Sequence, residues 1–388
     1  MRSAILTALT VLVVAFVVVL VFASPFVRVL DARLNGVHSP SATATGKHAE
    51  DLHARLWIAD LHCDASLWNR PLVERSGRGH VDVPRLVAGN VALQVFSLPN
   101  AYPLGANYRR TPSGIDLLDA LAVANRWPRA TWSSPVGRAI HQARIVERAA
   151  QDSDGRLVMV RSSPDLAALA AQQDDRVGAV LSVEGLHVQR DDLAAIDRLY
   201  AAGVRVFGLA HMSDNPVAGS AHGWSKGGLT AFGRRVVARI DSLGAVVDLA
   251  HASAATIDDV LAISTRPVLV SHTGVDGTCP GERNLSDDQV RRIAARGGVI
   301  GIGFWKGAVC GDDAGAIARA MRHAARVASV DAVALGSDFD GAVRTPFDAA
   351  GLVMLTDALL EEGFTDEEVV RIMGFNALEF FLRALPPD

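Results

Sequence analysis

The chain has 388 residues, 49% of them hydrophobic and 21% charged, which is ample for a large buried core and unlike the composition of a disordered tail. Its net charge is −4, and it has neither a Lys/Arg run nor basic residues interleaved with aromatic ones, so nucleic acid is not an expected partner. Length alone suggests two domains, but α/β barrels of about 250 to 350 residues are single units, so the strand pattern decides.

The first element is Ala4 to Phe22, an uncharged apolar run preceded only by Arg2 and the amino terminus. It is about long enough to span a bilayer and longer than the roughly 7 to 15 apolar residues of a cleavable signal. Residues 1–25 therefore read as a transmembrane anchor, with signal cleavage near Val21-Phe22-Ala23 as the alternative. Either way the remainder is expected outside the cytoplasm, membrane-anchored in the first case and secreted in the second. Residues 26–55 are rich in Ser, Ala, Thr, Gly and His without a sustained period, which reads as a linker.

From Leu56 onward, short β-branched-rich runs alternate with segments of helical spacing. The runs are Leu56–Leu61, Val91–Leu98, Val177–Val183, Val204–Ala210, Ala245–Ala250, Pro267–Val270, Gly298–Gly303 and Ala332–Gly336. Covering helices are expected at Asp191–Ala202, Ala231–Leu243, Ala254–Ile263, Asp287–Arg296 and Ala314–Ser329. Eight such units predict a (β/α)8 TIM-like barrel over residues 56–388, with an open doubly wound sheet as the alternative; no Gly-rich phosphate loop follows the first run to support the latter. Tyr102 to Gln151 reads as a mostly helical decoration, Thr365 to Glu368 as a capping box, and Asn376 to Leu385 as a closing amphipathic stretch.

Candidate chemistry sits where the runs end. His62 and Asp64 close the first, Glu184 the third, His211 the fourth, His251 the fifth, His272 the sixth and Asp338 the eighth. A barrel builds its active site at that end of its strands. Any one of these residues could be a cap or a satisfied surface group. Together, imidazoles and carboxylates at a packed mouth are costly without a cation. Their chemistry, with no thiolate set, suits zinc or a similar divalent ion, and their number suggests two. If Glu184 bridges, His62 and Asp64 complete one site and His251 and His272 the other; two ions about 3.5 to 4 Å apart can hold a hydroxide between them that attacks an amide. Cys63 would point away from such a site. Of the three cysteines, spacing alone does not choose a pair; since Cys63 lies inside this motif, Cys279 with Cys310 is the favoured bridge, and three free thiols are the alternative.

The segments DLHCD (60–64), SVEGLH (182–187), LAHMSDNP (209–216), VDLAHAS (247–253), SHTG (271–274), GERN (281–284) and GSDFDG (336–341) resemble those of the membrane, or renal, dipeptidases, in order and spacing from about Leu56 to Leu385. The resemblance implies a metallohydrolase barrel with two zinc ions per chain, acting on dipeptides with a free C-terminal carboxylate. It implies His62 and Asp64 on one zinc, Glu184 bridging, His251 and His272 on the second, His211 at the oxyanion, Arg283 on the substrate carboxylate and Asp338 handling the proton. It also implies a homodimer and supports the Cys279–Cys310 bridge. A guanidinium can fork onto a carboxylate, which agrees with the role of Arg283. Asp340 reads as structural. Relatives often carry Asn at the position of Cys63 and Gly at that of Leu186, so backbone placement there departs from the pattern. Two rivals remain: a related binuclear amidase acting on N-acyl amino acids or β-lactams, and a silent binding protein, which would be expected to lack ligands or the base.

Overall fold

The computed structural model describes residues 24–38, 45–172 and 174–387. The expected anchor, Ala4 to Phe22, lies outside the described residues, and among those described no helix is long and apolar enough to cross a membrane.

Among the described residues, nine strands form one parallel sheet: β1 Ile58–Cys63, β2 Val91–Pro99, β3 Leu157–Met159, β4 Val177–Glu184, β5 Val204–Gly208, β6 Val246–Asp248, β7 Leu269–Thr273, β8 Val299–Ile302 and β9 Val333–Leu335. Because β2 pairs with β4 and β1 with both β2 and β9, eight strands close into a barrel in the order β1-β2-β4-β5-β6-β7-β8-β9. All eight predicted runs are barrel strands. The short β3 was not predicted; it pairs with Val177–Ala179 at the start of β4, while β5 pairs with Leu181–Val183 further along. Strands buried on both faces need apolar side chains on both, which is why they read as continuous apolar runs. In β4, Val177, Ala179, Leu181 and Val183 join the shell under the helices, and Val180 joins a second cluster.

That second cluster fills the inside of the barrel. It takes residues from all eight barrel strands, including Leu61, Val95, Val180, Val206, Val246, Leu269, Val299 and Ala334, and adds Ala377, Leu378, Phe380 and Phe381 of the final helix Asn376–Ala384. The closing stretch is thus a plug against the barrel interior, not a surface ornament. The expected capping box is present, with Thr365 and Glu368 satisfying each other's backbone.

Two expectations are corrected. Residues 24–34, which run from the end of the predicted anchor segment into the predicted linker, are helical, and within the linker Lys47–His53 forms another helix. The first packs Val27, Leu30 and Leu34 against Leu67, Trp68, Leu118 and Trp127, and buries Asp31 beside Arg70 and Arg78. These contacts are tertiary, so a local reading of composition does not see them. Second, the supposed decoration contains the helix Pro135–Asp152, which buries Ala139, Ala143 and Val146 in the main core shell; it is the covering helix between β2 and β4.

Candidate metal centre

The strand ends bring the predicted ligands to one point. Nε2 of His62 stands 3.5 Å from Asp64 Oδ1 and 3.5 Å from Glu184 Oε1. The same Glu184 oxygen lies 3.1 Å from His251 Nε2 and 3.5 Å from His272 Nε2, while Glu184 Oε2 lies 3.6 Å from His211 Nε2. Glu184 is therefore at the centre of four imidazoles. Asp338 Oδ1 is 3.9 Å from His62 Nε2, so Asp338 and His211, expected in other roles, also stand within ligand reach.

The donor set fits a cation on two observations. His62 Nε2, Asp64 Oδ1 and Glu184 Oε2 are buried without a hydrogen-bond partner, a costly state for such atoms unless an ion satisfies them. Nε2 of His251 and His272 face each other at 2.8 Å, both aimed at Glu184. Beneath them, Ser271 Oγ lies 3.3 Å from His62 Nδ1 and 3.0 Å from His272 Nδ1, so that both rings are held by Nδ1 and turn Nε2 to the centre.

Electrostatics follow from the crowding. Burial opposes charge on His62, but Glu184, Asp64 and Asp338 outweigh it and push its pKa up to about 10. Burial, with Arg283 and the neighbouring imidazoles, holds His251 and His272 well below the usual histidine range, which keeps them neutral and fit to bind a cation. Burial and the adjoining carboxylates raise Asp338 well above the ordinary carboxylate value.

Local backbone is built to aim these groups. His251 and Asp338 have φ of 60° and 58°, in the left-handed region that ordinary residues rarely occupy. Gly185, directly after Glu184, has φ 79°, and a Cβ there would come within 2.9 Å of His187 and His211. Asp340 is structural, as expected: it accepts from the His80 and Val81 amides and pairs with Arg70 at 2.6 Å, and Arg70 with burial-offsetting charge holds its carboxyl well below the usual range. Cys63 is buried in the shell under the helices, away from the centre, and Cys279 and Cys310 form a disulfide.

Arg283 is buried beside the centre. Its Nη2 donates to His272 O at 2.8 Å, its Nε has no partner, and its guanidinium lies 5.6 Å from the Trp305 ring centroid. It lines two adjoining cavities of about 630 and 930 Å³. The sequence reading missed the residues around it. Tyr108 accepts from Trp305 Nε1 at 2.8 Å, the Tyr102 ring lies 5.9 Å from that of His211, and His222, fully buried with both ring nitrogens unpartnered, lies 5.2 Å from His251. The tyrosines sit in an irregular loop, where periodicity gives no signal. His222 had one: a histidine eleven residues after His211 in the same loop.

With this geometry established, comparison with known proteins is decisive at the family level. Residues 46–384 match the model of the membrane dipeptidases, peptidase family M19. The chain belongs to that family. An uncharacterised dipeptidase of Schizosaccharomyces pombe is 33% identical over 227 residues, 55% of either chain, so the alignment spans about half the length of that relative. Among solved structures, a probable dipeptidase of Pseudomonas aeruginosa superposes with a TM-score of 0.74 at 19% identity, over 87% of this chain and 98% of that one. A metallopeptidase of Rhodobacter sphaeroides, liganded with a phosphinate mimic of the dipeptide L-Ala-D-Ala, gives 0.72 at 23%, over 85% and 99%. At these identities the structural likeness establishes the shared barrel.

Proposed function

We propose that the chain is a zinc-dependent dipeptidase holding two zinc ions, tethered to a membrane with its barrel outside the cytoplasm. The observation that carries this reading is Glu184, whose carboxylate stands 3.1 to 3.6 Å from four imidazole nitrogens and is shared between the His62–Asp64 and His251–His272 groups. When bound, the ions supply Lewis acidity and lower the pKa of water toward neutrality.

The chain's own residues do the rest. Arg283 offers its unpartnered N–H to the substrate carboxylate, which restricts substrates to very short peptides with a free C-terminus. His211 is held through Nδ1 against Ala101 O at 3.0 Å and presents Nε2 to the centre, beside the place where the oxyanion develops on the scissile carbonyl. Asp338 takes a proton on its carboxylate and returns it to the leaving amine. The dipeptide mimic held by the Rhodobacter sphaeroides protein supports a dipeptide as substrate. Export is supported by the apolar run Ala4 to Phe22 and by the disulfide, which persists in oxidising compartments. Assembly as a homodimer belongs to the same reading.

The test is metal content and dipeptide hydrolysis by the full chain, before and after chelation. Two zinc ions per chain, with activity lost on chelation and restored by zinc, is the expected result. Turnover of N-acyl amino acids without dipeptides would overturn the substrate, and a chain that binds no metal would overturn the whole reading.

A further inference from the structure

The rim of the barrel mouth carries a surface that the chemistry of hydrolysis does not use. Loops after β1 and β2 lie at this rim, and the helix 24–34 packs against them: Val27 joins the cluster of Trp68, Leu118 and Trp127, and Ser24 Oγ donates to Ala124 O at 3.0 Å. The residues immediately before this helix in sequence are the uncharged apolar run Ala4 to Phe22. The chain thus enters the fold beside the mouth, not at the plugged end.

Facing outward on the same rim are Phe26, Leu104, Ile115 and Trp224, which are 66%, 53%, 70% and 56% exposed. The last three share one surface: Leu104 N donates to Ile115 O at 2.8 Å, Thr111 N to His222 O at 2.7 Å, and the Arg110 guanidinium lies 4.1 Å from the Trp224 ring centroid. The same segments carry Arg28, Arg33, Arg109, Arg110, Arg126 and Arg129, all exposed, and Arg110 Nε donates to Trp224 O at 3.1 Å. The carboxylates of the same segments are turned away from them, Asp31 to Arg70 and Arg78, and Asp116 and Asp119 to Arg138. A cationic, apolar-tipped face on a chain of net charge −4 is complementary to one kind of surface: aromatic and aliphatic tips enter the headgroup layer while arginines meet phosphates.

We propose that this rim rests on anionic phospholipid, so that the mouth of the barrel is held against the bilayer and takes its substrate from the water layer beside it. This goes beyond a tether at the amino terminus, which by itself would leave the barrel free to turn. It does not depend on the chemistry at Glu184.

The experiment places a nitroxide on Ile115→Cys or, as reference, on Leu382→Cys, exposed on the plugging helix, in the full chain reconstituted into mixed phosphatidylglycerol and phosphatidylcholine vesicles. Cys63 is buried and does not compete for label. The expected result is that the residue-115 label relaxes with oxygen and is shielded from an aqueous nickel chelate, while the residue-382 label behaves as in water. Equal aqueous exposure of the two would overturn the proposal, and shielding of residue 115 from both relaxants would assign the face to a protein partner instead. Replacing Arg109, Arg110, Arg126 and Arg129 by Gln is expected to return the residue-115 label toward water; an unchanged label would refute the role of anionic lipid. Since hydrolysis is not read, failure here leaves the dipeptidase reading untouched, and failure there leaves this one standing.

Discussion

Replacing Arg283 by Met asks whether this side chain recognises the substrate's carboxylate or merely supports a ligand. Met keeps an unbranched apolar stem beside Trp305 and removes the charge. In the structure one Nη2–H is engaged with His272 O, and a bidentate fork with a substrate carboxylate uses two of the four N–H groups that remain. Hydrogen bonds to charged groups contribute about 1.5 to 3 kcal/mol each; since the two share one desolvation, the low end of the sum, about 3 kcal/mol, is the expectation. That is about a hundredfold in kcat/KM. The assay compares Ala-Ala with its C-terminal amide on both proteins, with metal content measured in each. The parent is expected to prefer the free acid by about a hundredfold, and Arg283→Met to lose this preference while retaining metal. Equal losses on acid and amide would refute the assignment. Loss of metal would refute it too, because Arg283 would then act by holding the His272 backbone.

Other outcomes follow from the same geometry. Glu184→Gln is expected to abolish metal binding and activity together, whereas Asp338→Asn should keep the metal and lower kcat by about 10²- to 10⁴-fold, measured by metal analysis beside steady-state kinetics; equal metal loss would contradict that division of labour. Cys279→Ser opens a bridge with a sequence separation of 31 and should cost about 3 to 4 kcal/mol in urea unfolding, with no change in kcat. Burial holds the pKa of His53 down at about 4, so its contribution to stability is full above the unfolded value near 6.5 and is lost as pH falls toward 4. That contribution reaches about 3 kcal/mol, and the unfolding free energy of His53→Gln should vary less than that of the parent between pH 7 and 4. A parallel dependence in both would exclude His53 as the source.

What the sequence disclosed and what it hid divide along physical lines. The barrel strands were legible because they are buried on both faces, and six of the eight end in a polar residue that an apolar run does not otherwise tolerate, as in Val183-Glu184 or Ala250-His251. The helix at 24–34 was not, since Asp31 and Asn35 look like linker residues until Arg70, Arg78 and the Ala342 amide are seen to satisfy them. Strand β3 is only three residues long and borrows part of an edge. At the site, residue types disclosed the ligand set, but not that Asp338 and His211 also stand within ligand reach, because left-handed turns at His251 and Asp338 aim the side chains in ways that spacing does not encode. Tyr102 and Tyr108 were hidden for another reason: an irregular loop has no period to read.

The polarity of the barrel changes along its axis, and this gradient explains how so many ionisable groups are held together. At the plugged end the interior is apolar, with Phe380 and Phe381 against Val246, Leu269 and Val299. Directly under the ligands come two buried carboxylates, Asp60 and Asp248, each held by several hydrogen bonds. Asp60 accepts from Ser337 N, Ser337 Oγ and Gln94 Nε2 at 2.7 to 2.8 Å, and Asp248 accepts from Ala250 N and Ser271 N at 3.0 and 2.9 Å. These bonds cross from β1 to Gln94 within β2 and to Ser337 just after β9, and from β6 to β7, so they tie together the strands that carry His62 and His272 and those that precede His251 and Asp338. Above these carboxylates, at the mouth, His62 Nε2, Asp64 Oδ1 and Glu184 Oε2 stand together without a hydrogen-bond partner. An unpaired buried polar group is tolerated where its neighbours are locked and a cation satisfies it; placed one layer deeper, among the phenylalanines, the same groups would have no route to an ion and would cost the fold several kcal/mol each. The apolar plug below and the hydrogen-bonded carboxylates that lock the strand ends therefore make the mouth the level of the barrel best suited to a metal centre.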